Sequence, residues 1–388
     1  KGASPVLLRQ RPDGTFEDVS AKSGVADPEG KGLGVAFADF DADGRPDIFV
    51  ANDNARQFLF RNNGDGTFED VALGAGVGYD ENGKSFSGMG VDAADFDNDG
   101  LTDIFVANDN ARQFLFRNKG DGTFEDVALL AGVGYDENGK QFAGMGVDAA
   151  DYDNDGFVDV FVTALSNETY PLYRNNGDLT FTYATSSAGV SLITIPFSGW
   201  GTRFADFDND GLRDIFVAQG HVLDTIEKTT GYLAYKEPPL LMRNTGKGFV
   251  NVSTSAGLTM ALAARGAAFG DLDNDGDTDV VLGQTDGPPV VLRNNGTKNH
   301  WLGLSLVAAK GNRQGFGARV VVTDSAGGKQ LFDVSAAGSY LSSNDPRLIV
   351  GLGTRPGVRT VEVRWPDGRN QVVNAPTVDS YLTVREQP

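Results

Sequence analysis

Short apolar runs bounded by Gly, Asn and Asp recur along the first three quarters of the chain, as in "DIFVAND" (47–53), "QFLFRN" (57–62) and "TFEDVAL" (67–73). Each is too short for a helix, and Phe, Val and Ile dominate, so each predicts a strand. "NGDG" at 63–66 predicts a tight hairpin, because Asn, Asp and Gly tolerate positive φ. With a further strand ahead of "DIFVAND", these runs predict four-stranded meanders.

The pattern repeats. Residues 39–94 align without gaps on 95–150 and differ at only seven of 56 positions. Further units start at Asp151, Asp206 and Asp271, giving spacings of 56, 56, 55 and 65 residues from Asp39 onward. The longer last spacing falls at "GHVLDTIEKTTGYLAYKEPP" (220–239), read as an insertion loop. Four-stranded units at this period predict an all-β propeller; a solenoid repeat is usually shorter. Residues 5–20 read as the third and fourth strands of a unit, and 265–294 as the first three. Ring closure would therefore pair residues 15–20 with 289–293 and remove both sheet edges; if blades are missing, the strand instead caps a broken ring. From residue 299 the period stops, and about seven strands predict a separate C-terminal β-sandwich over 299–388, after a propeller over 1–298.

Every unit opens with D-x-D-x-D-G-x-x-D. The loops hold Asp39, Asp41, Asp43 and Asp47; Asp95, Asp97, Asp99 and Asp103; Asp151, Asp153, Asp155 and Asp159; Asp206, Asp208, Asp210 and Asp214; and Asp271, Asp273, Asp275 and Asp279. Carboxylates at alternate positions, with Gly sixth for a sharp turn, suit Ca²⁺, whose seventh-position ligand is a backbone carbonyl. Here that carbonyl belongs to Arg45, Leu101, Phe157, Leu212 or Asp277. Mg²⁺ demands a smaller shell and Zn²⁺ favours His or Cys, so about five Ca²⁺ ions are expected. An EF-hand needs flanking helices and Glu at position twelve; Val50, Val106, Val162, Val217 and Leu282 stand there. Plain Asp/Gly turns are the bland reading, which five copies in one register weigh against.

Composition sharpens this picture. Net charge is -20, which argues against nucleic acid, and five Ca²⁺ would halve it. Loops of this kind bind at about 10⁻⁴ to 10⁻³ M in extracellular modules, so a secreted, periplasmic or cell-surface location is expected. No apolar stretch approaches a membrane span, and no Cys is present. The first residue is Lys1, which reads as a start inside a precursor.

The loops and their spacing resemble the FG-GAP/VCBS repeats of integrin-α-type propellers. The tail, with "NHWLGLSLVAAKGNRQGFGARVVVT", "GSYLSSNDPRLIVGLG" and "VEVRWPDG", resembles the ASPIC/UnbV domain. The combination is similar to the cartilage acidic protein family and its bacterial relatives. The resemblance implies one Ca²⁺ per loop, seven blades as the usual number, a C-terminal β-sandwich, and secretion.

Catalytic signals are weak. The two histidines, His221 and His300, have no nucleophile beside them and read as structural; no nucleophile elbow or phosphate loop is present. A non-catalytic scaffold for protein binding or adhesion is expected, with a carbohydrate-binding propeller as the alternative. Two features invite a partner, protein or glycan. The loop Asn52, Asp53, Asn54, Arg56, Gln57 recurs at Asn108, Asp109, Asn110, Arg112, Gln113, where turn chemistry is the competing account. Asp92, Asp148 and Arg203 are expected near the axis, as a solvated channel lining.

Overall fold

The computed structural model describes residues 2 and 4–387. A two-stranded hairpin, β1 (Leu8–Gln10) and β2 (Phe16–Asp18), comes first. Four antiparallel four-stranded sheets follow: β3–β6 (Gly32–Ala38, Asp47–Asn52, Phe58–Asn62, Phe68–Asp70); β7–β10 (Gly88–Ala94, Asp103–Asn108, Phe114–Asn118, Phe124–Asp126); β11–β14 (Val147–Ala150, Asp159–Val162, Leu172–Asn175, Phe181–Tyr183); and β15–β18 (Gly199–Ala205, Asp214–Gln219, Leu240–Asn244, Phe249–Asn251). A three-stranded sheet, β19–β21 (Ala264–Gly270, Asp279–Gln284, Val290–Leu292), ends the series. Each sheet is a meander in sequence order, as the alternation of apolar runs and turns predicts. The insertion at 220–239 leaves between β16 and β17 and holds one 3-10 turn, Ile226–Lys228.

The first strands of successive sheets lie side by side, and a glycine permits the approach. A Cβ on Gly34 would stand 2.6 Å from the Met89 carbonyl oxygen, on Gly90 2.6 Å from that of Met145, and on Gly146 2.1 Å from that of Trp200. Any side chain at these positions would push neighbouring sheets apart. Phe and Val side chains from facing sheets fill the space between, among them the buried Phe49, Phe105, Phe161 and Phe216. Asparagines at or just after the third strands add polar ties. Asn118, Asn175, Asn244 and Asn294 donate to the carbonyls of Phe40, Phe96, Tyr152 and Phe207 in the preceding unit, at 2.8–3.0 Å.

Ring closure by residues 15–20 does not occur. β2 pairs with β1, Leu8 opposite Asp18, and β21 pairs only with β20. The register is that of a complete unit, where Phe60 stands opposite Asp70. A hairpin closed across residues 11–15 costs far less loop entropy than a pairing across the whole array.

All seven tail strands form: β22 (His300–Val307), β23 (Arg319–Asp324), β24 (Lys329–Asp333), β25 (Leu348–Gly353), β26 (Val358–Arg364), β27 (Asn370–Asn374) and β28 (Ser380–Arg385). They make two sheets, β25-β22-β28 and β24-β23-β26-β27, around a core that includes Leu302, Leu304, Val320, Val350, Val361 and Trp365. The sandwich has a core of its own and also bonds to the repeat sheets. Its connection between β24 and β25 runs among the first strands of the repeat sheets. The Gly338 N–H donates to the Val91 carbonyl (3.1 Å), Ser339 exchanges backbone bonds with Val147, and the Asp345 N–H donates to the Phe269 carbonyl (2.9 Å). Ser339 Oγ donates to the Ala267 carbonyl at 2.6 Å. Gly266 faces this segment as well, its Cβ position 2.7 Å from Ser342 Oγ.

This connection overturns the expectation of a solvated channel lining. Asp92 and Asp148 are both buried, against Gly338. Asp92 accepts the Ala149 N–H, and Asp148 accepts the Phe204 N–H and the Arg203 guanidinium (2.9 Å). They hold one sheet to the next. Burial pushes both carboxyls above their ordinary range, while Arg203 pulls the other way.

Candidate metal loops and their surroundings

Each acidic loop joins the first and second strands of its sheet, so all five emerge at the same end of the array. The sixth-position glycines have φ of 86°, 99°, 92°, 96° and 91° at Gly44, Gly100, Gly156, Gly211 and Gly276, a left-handed backbone that favours Gly. Their N–H groups donate to one oxygen of the first Asp in each loop, at 2.7–3.0 Å. The seventh-residue N–H donates to the fifth-position Asp, as from Leu101 to Asp99 at 2.9 Å.

In every loop at least three carboxylates offer oxygens within 4.8 Å of one another: Asp39, Asp41, Asp43; Asp95, Asp97, Asp99; Asp151, Asp153, Asp159; Asp206, Asp208, Asp210; and Asp271, Asp273, Asp279. Such a donor set could hold a hard cation. One atom supports the fit directly: Asp95 Oδ1 is buried and has no hydrogen-bond partner. Burial pushes the Asp39 and Asp151 carboxyls up to about 6 and holds Asp206 well above its ordinary value, with neighbouring Asp charges adding to the rise. A cation would relieve that cost. Arginines of the third strands partly offset it: Arg174 lies 2.6 Å from Asp153 and 2.7 Å from Asp155, and Arg293 lies 2.7 Å from Asp273.

The ninth-position carboxylates do a second job that the motif alone does not reveal. Both oxygens of Asp103 accept backbone N–H groups, of Asn118 (2.8 Å) and Phe96 (3.0 Å). Asp47, Asp159, Asp214 and Asp279 repeat this on Asn62 and Phe40, Asn175 and Tyr152, Asn244 and Phe207, and Asn294 and Leu272. They pin the loop entrance to the third strand. Arg45, Leu101, Phe157 and Leu212 stand at the seventh position, where only the carbonyl would serve an ion; the Asp277 carboxylate there accepts Asn209 Nδ2 at 2.8 Å.

The polar loops at the opposite end are turn chemistry. Gln57 Oε1 accepts the Asn52 N–H (2.6 Å), and Asn52 Nδ2 donates to the Arg56 carbonyl (2.9 Å). Arg56 stacks on Phe58 and pairs with Asp70. Asn108, Arg112 and Gln113 repeat the arrangement. These side chains are spent inside the fold; Asn54 and Asn110 remain exposed. His221 Nδ1 accepts the Leu223 N–H, and His300 lies 2.8 Å from Asp379.

These features define a class: an all-β repeat protein whose sheets each open with an acidic loop, joined to a C-terminal β-sandwich. The repeats match the FG-GAP-like repeat family at residues 2–50, 39–106, 95–162 and 151–217, and residues 308–388 match the ASPIC and UnbV family. The chain belongs to the FG-GAP-like repeat family. It is similar to human cartilage acidic protein 1, 30% identical over 381 residues, covering 91% of this chain and 53% of that protein. The Xenopus tropicalis protein of that name is 28% identical, covering 91% and 54%. The chain thus spans about half the length of the curated relatives it matches. Among solved structures, an Agrocybe aegerita lectin that recognises non-reducing terminal N-acetylglucosamine overlaps at TM-score 0.40 and 20% identity, covering 76% of this chain and 89% of that one. No described helix is long and apolar enough to cross a membrane.

Proposed function

We propose that the chain is a calcium-stabilised β-propeller module of a secreted protein, working as a non-catalytic scaffold for protein binding or adhesion. The carrying observation is the set of five acidic loops in one register, each bringing at least three carboxylates within 4.8 Å of one another. No ordinary structural need explains five such clusters, since each costs desolvation and like-charge repulsion. Ca²⁺ suits the all-oxygen donor set and the flexible loop. At millimolar calcium and an extracellular-type Kd of about 10⁻⁴ to 10⁻³ M, each site stabilises the fold by about 1 kcal/mol. The same affinity leaves the loops empty in cytosol, which supports secretion.

Metal analysis of protein equilibrated in millimolar calcium should give about five Ca²⁺ per chain. A count near zero would overturn the reading.

A carbohydrate ligand is the second reading, favoured by one groove. His221 and Tyr232 of the insertion line, with Asn167, a cavity of about 430 Å³. The Tyr232 ring is 73% exposed, and its hydroxyl bonds Asn167 Oδ1 at 3.2 Å. A glycan array with the parent and Tyr232→Ala tests it; binding that survives the substitution would move the ligand elsewhere.

A further inference from the structure

The sandwich docks on the end of the array that carries the acidic loops, and it grips two of them in the same way. At the second loop, the Arg319 guanidinium donates to the Asp95 carbonyl (2.8 Å) and to Asn98 Oδ1. At the fifth loop, Arg347 donates to the Asp271 carbonyl (2.6 Å) and to Asn274 Oδ1 (2.5 Å). In both cases a guanidinium straddles the first and fourth residues of the loop. Each arginine is matched by a sandwich aspartate. Asp333 accepts from Arg319 at 2.7 and 2.8 Å, and Asp345 lies 2.6 Å from Arg347. Each aspartate offsets the charge of its own arginine; at the second loop Arg364 brings a further positive charge, which lies 2.6 Å from Asp95 Oδ2.

A second sandwich donor completes each grip. Arg364 donates to Asp95 Oδ2, and the Tyr381 hydroxyl to Asp271 Oδ2, both at 2.6 Å. The same Oδ2 atoms already accept the Gly100 and Gly276 N–H groups. With Oδ2 occupied twice, rotation of the carboxylate is restrained; at Asp271 the Oδ1 also accepts the Asp275 N–H at 3.1 Å. At Asp95 the Oδ1 is the buried atom without a partner.

The other three loops lack the grip. Ala42 stands fourth in the first loop and offers no amide. At the third, Arg213 reaches the Asp151 carbonyl, but its second bond goes to Leu331. At the fourth, Asn209 Oδ1 has no partner.

We infer that Arg319 with Asp333, and Arg347 with Asp345, are positioning residues through which the sandwich preorganises the second and fifth loops for calcium, so that ion binding and sandwich docking strengthen one another. This rests on the calcium reading above. Outer-sphere partners of metal ligands typically change affinity by about 10- to 100-fold, and linkage makes the effect mutual.

The fifth loop carries its own reporter, because the Trp301 ring packs directly over Gly276. Terbium bound there should luminesce on indole excitation, and a Trp301→Phe control should remove that signal. In the full chain, Arg347→Gln should weaken terbium binding at this loop about 10- to 100-fold. Arg319→Gln should leave the signal unchanged and weaken one other site in a calcium calorimetry titration. Tyr381→Phe, which deletes a single hydroxyl, should weaken the fifth loop several-fold and serves if an arginine variant fails to fold. In reverse, calcium should slow hydrogen exchange across β28 in the parent and less so in Arg347→Gln. Fifth-loop affinity within twofold of the parent in both Arg347→Gln and Tyr381→Phe would overturn the inference while leaving the calcium reading intact. A parent that binds neither terbium nor calcium would instead defeat the calcium reading.

Discussion

Asp97 and Asp103 sit in one loop motif, yet the structure assigns them different work, and replacing each by Ala should separate the two. Asp103 is fully buried, and its two oxygens each accept a backbone N–H. Asp103→Ala strands both donors at a site water does not reach. An unpaired buried donor costs about 1–3 kcal/mol, so the pair should cost about 2–6 kcal/mol, with or without calcium. Burial pushes the Asp103 carboxyl up to about 8, while the two N–H donors pull it down. Asp97 instead sits at the cluster rim, paired with Arg117 at 2.6 Å, a rim ion pair worth about 1 kcal/mol or less. Asp97→Ala should therefore cost little in chelator and lose one ion's contribution, about 1 kcal/mol, in millimolar calcium. Urea unfolding of both variants, each in calcium and in chelator, gives four differences from the parent. Equal losses for the two variants in both buffers would refute the division into a structural anchor and an ion ligand.

Chelation of the parent should lower its melting temperature by many degrees, since about five sites empty together; an unchanged melting curve would remove the ions from the stability account. Glu237 is buried, with Oε2 accepting the Ser198 N–H at 2.9 Å, and burial pushes its carboxyl up to about 8 from 4.5. A raised carboxyl pKa gives stability that is full below pH ~4.5 and falls as pH rises towards 8, by a few kcal/mol at most. Glu237→Gln keeps the acceptor and should flatten that fall in melting curves from pH 5 to 9; a slope equal to the parent's would refute the assignment. Tyr340 packs at a tilt against Trp200 with ring centres 5.2 Å apart, and Tyr340→Ala should destabilise by about 3 kcal/mol while calcium stoichiometry stays constant. A lost ion in that variant would show that the central segment shapes the loops themselves.

Much of this molecule is legible in its sequence because repetition multiplies weak signals. One Asp-rich turn says little, whereas five copies at a period near 56 locate every loop and every strand around it. The tail strands are legible for the usual reason, alternation of Val, Leu and Phe with polar residues. What escapes is whatever occurs once. The segment at 336–345 is mostly Ala, Gly and Ser, and it binds largely through backbone groups that any sequence possesses, with Ser339 Oγ and the Asn344 amide adding side-chain bonds. Without it, Asp92 and Asp148 read as channel lining; with it, they are buried ties. Arg319 and Arg347 are single arginines in or near strands, and only the docked sandwich shows that they make one contact twice. The pairing of residues 15–20 with β21 fails because the matching strand lies just upstream, and a local hairpin forms before a distant one.

The segment between β24 and β25 also sets an order of assembly. It bonds Val91 and Val147 across roughly 190 to 250 residues of chain, so it can settle only after the sheets that receive it exist. During synthesis the five units emerge first, and domains generally fold as they emerge. The sheets must therefore pack around a centre whose filling arrives last. Until then the backbone groups of Val91, Ala267 and Phe269, and the carboxylates of Asp92 and Asp148, face water. Truncation before residue 336 should therefore leave Asp92 and Asp148 without the segment that covers them.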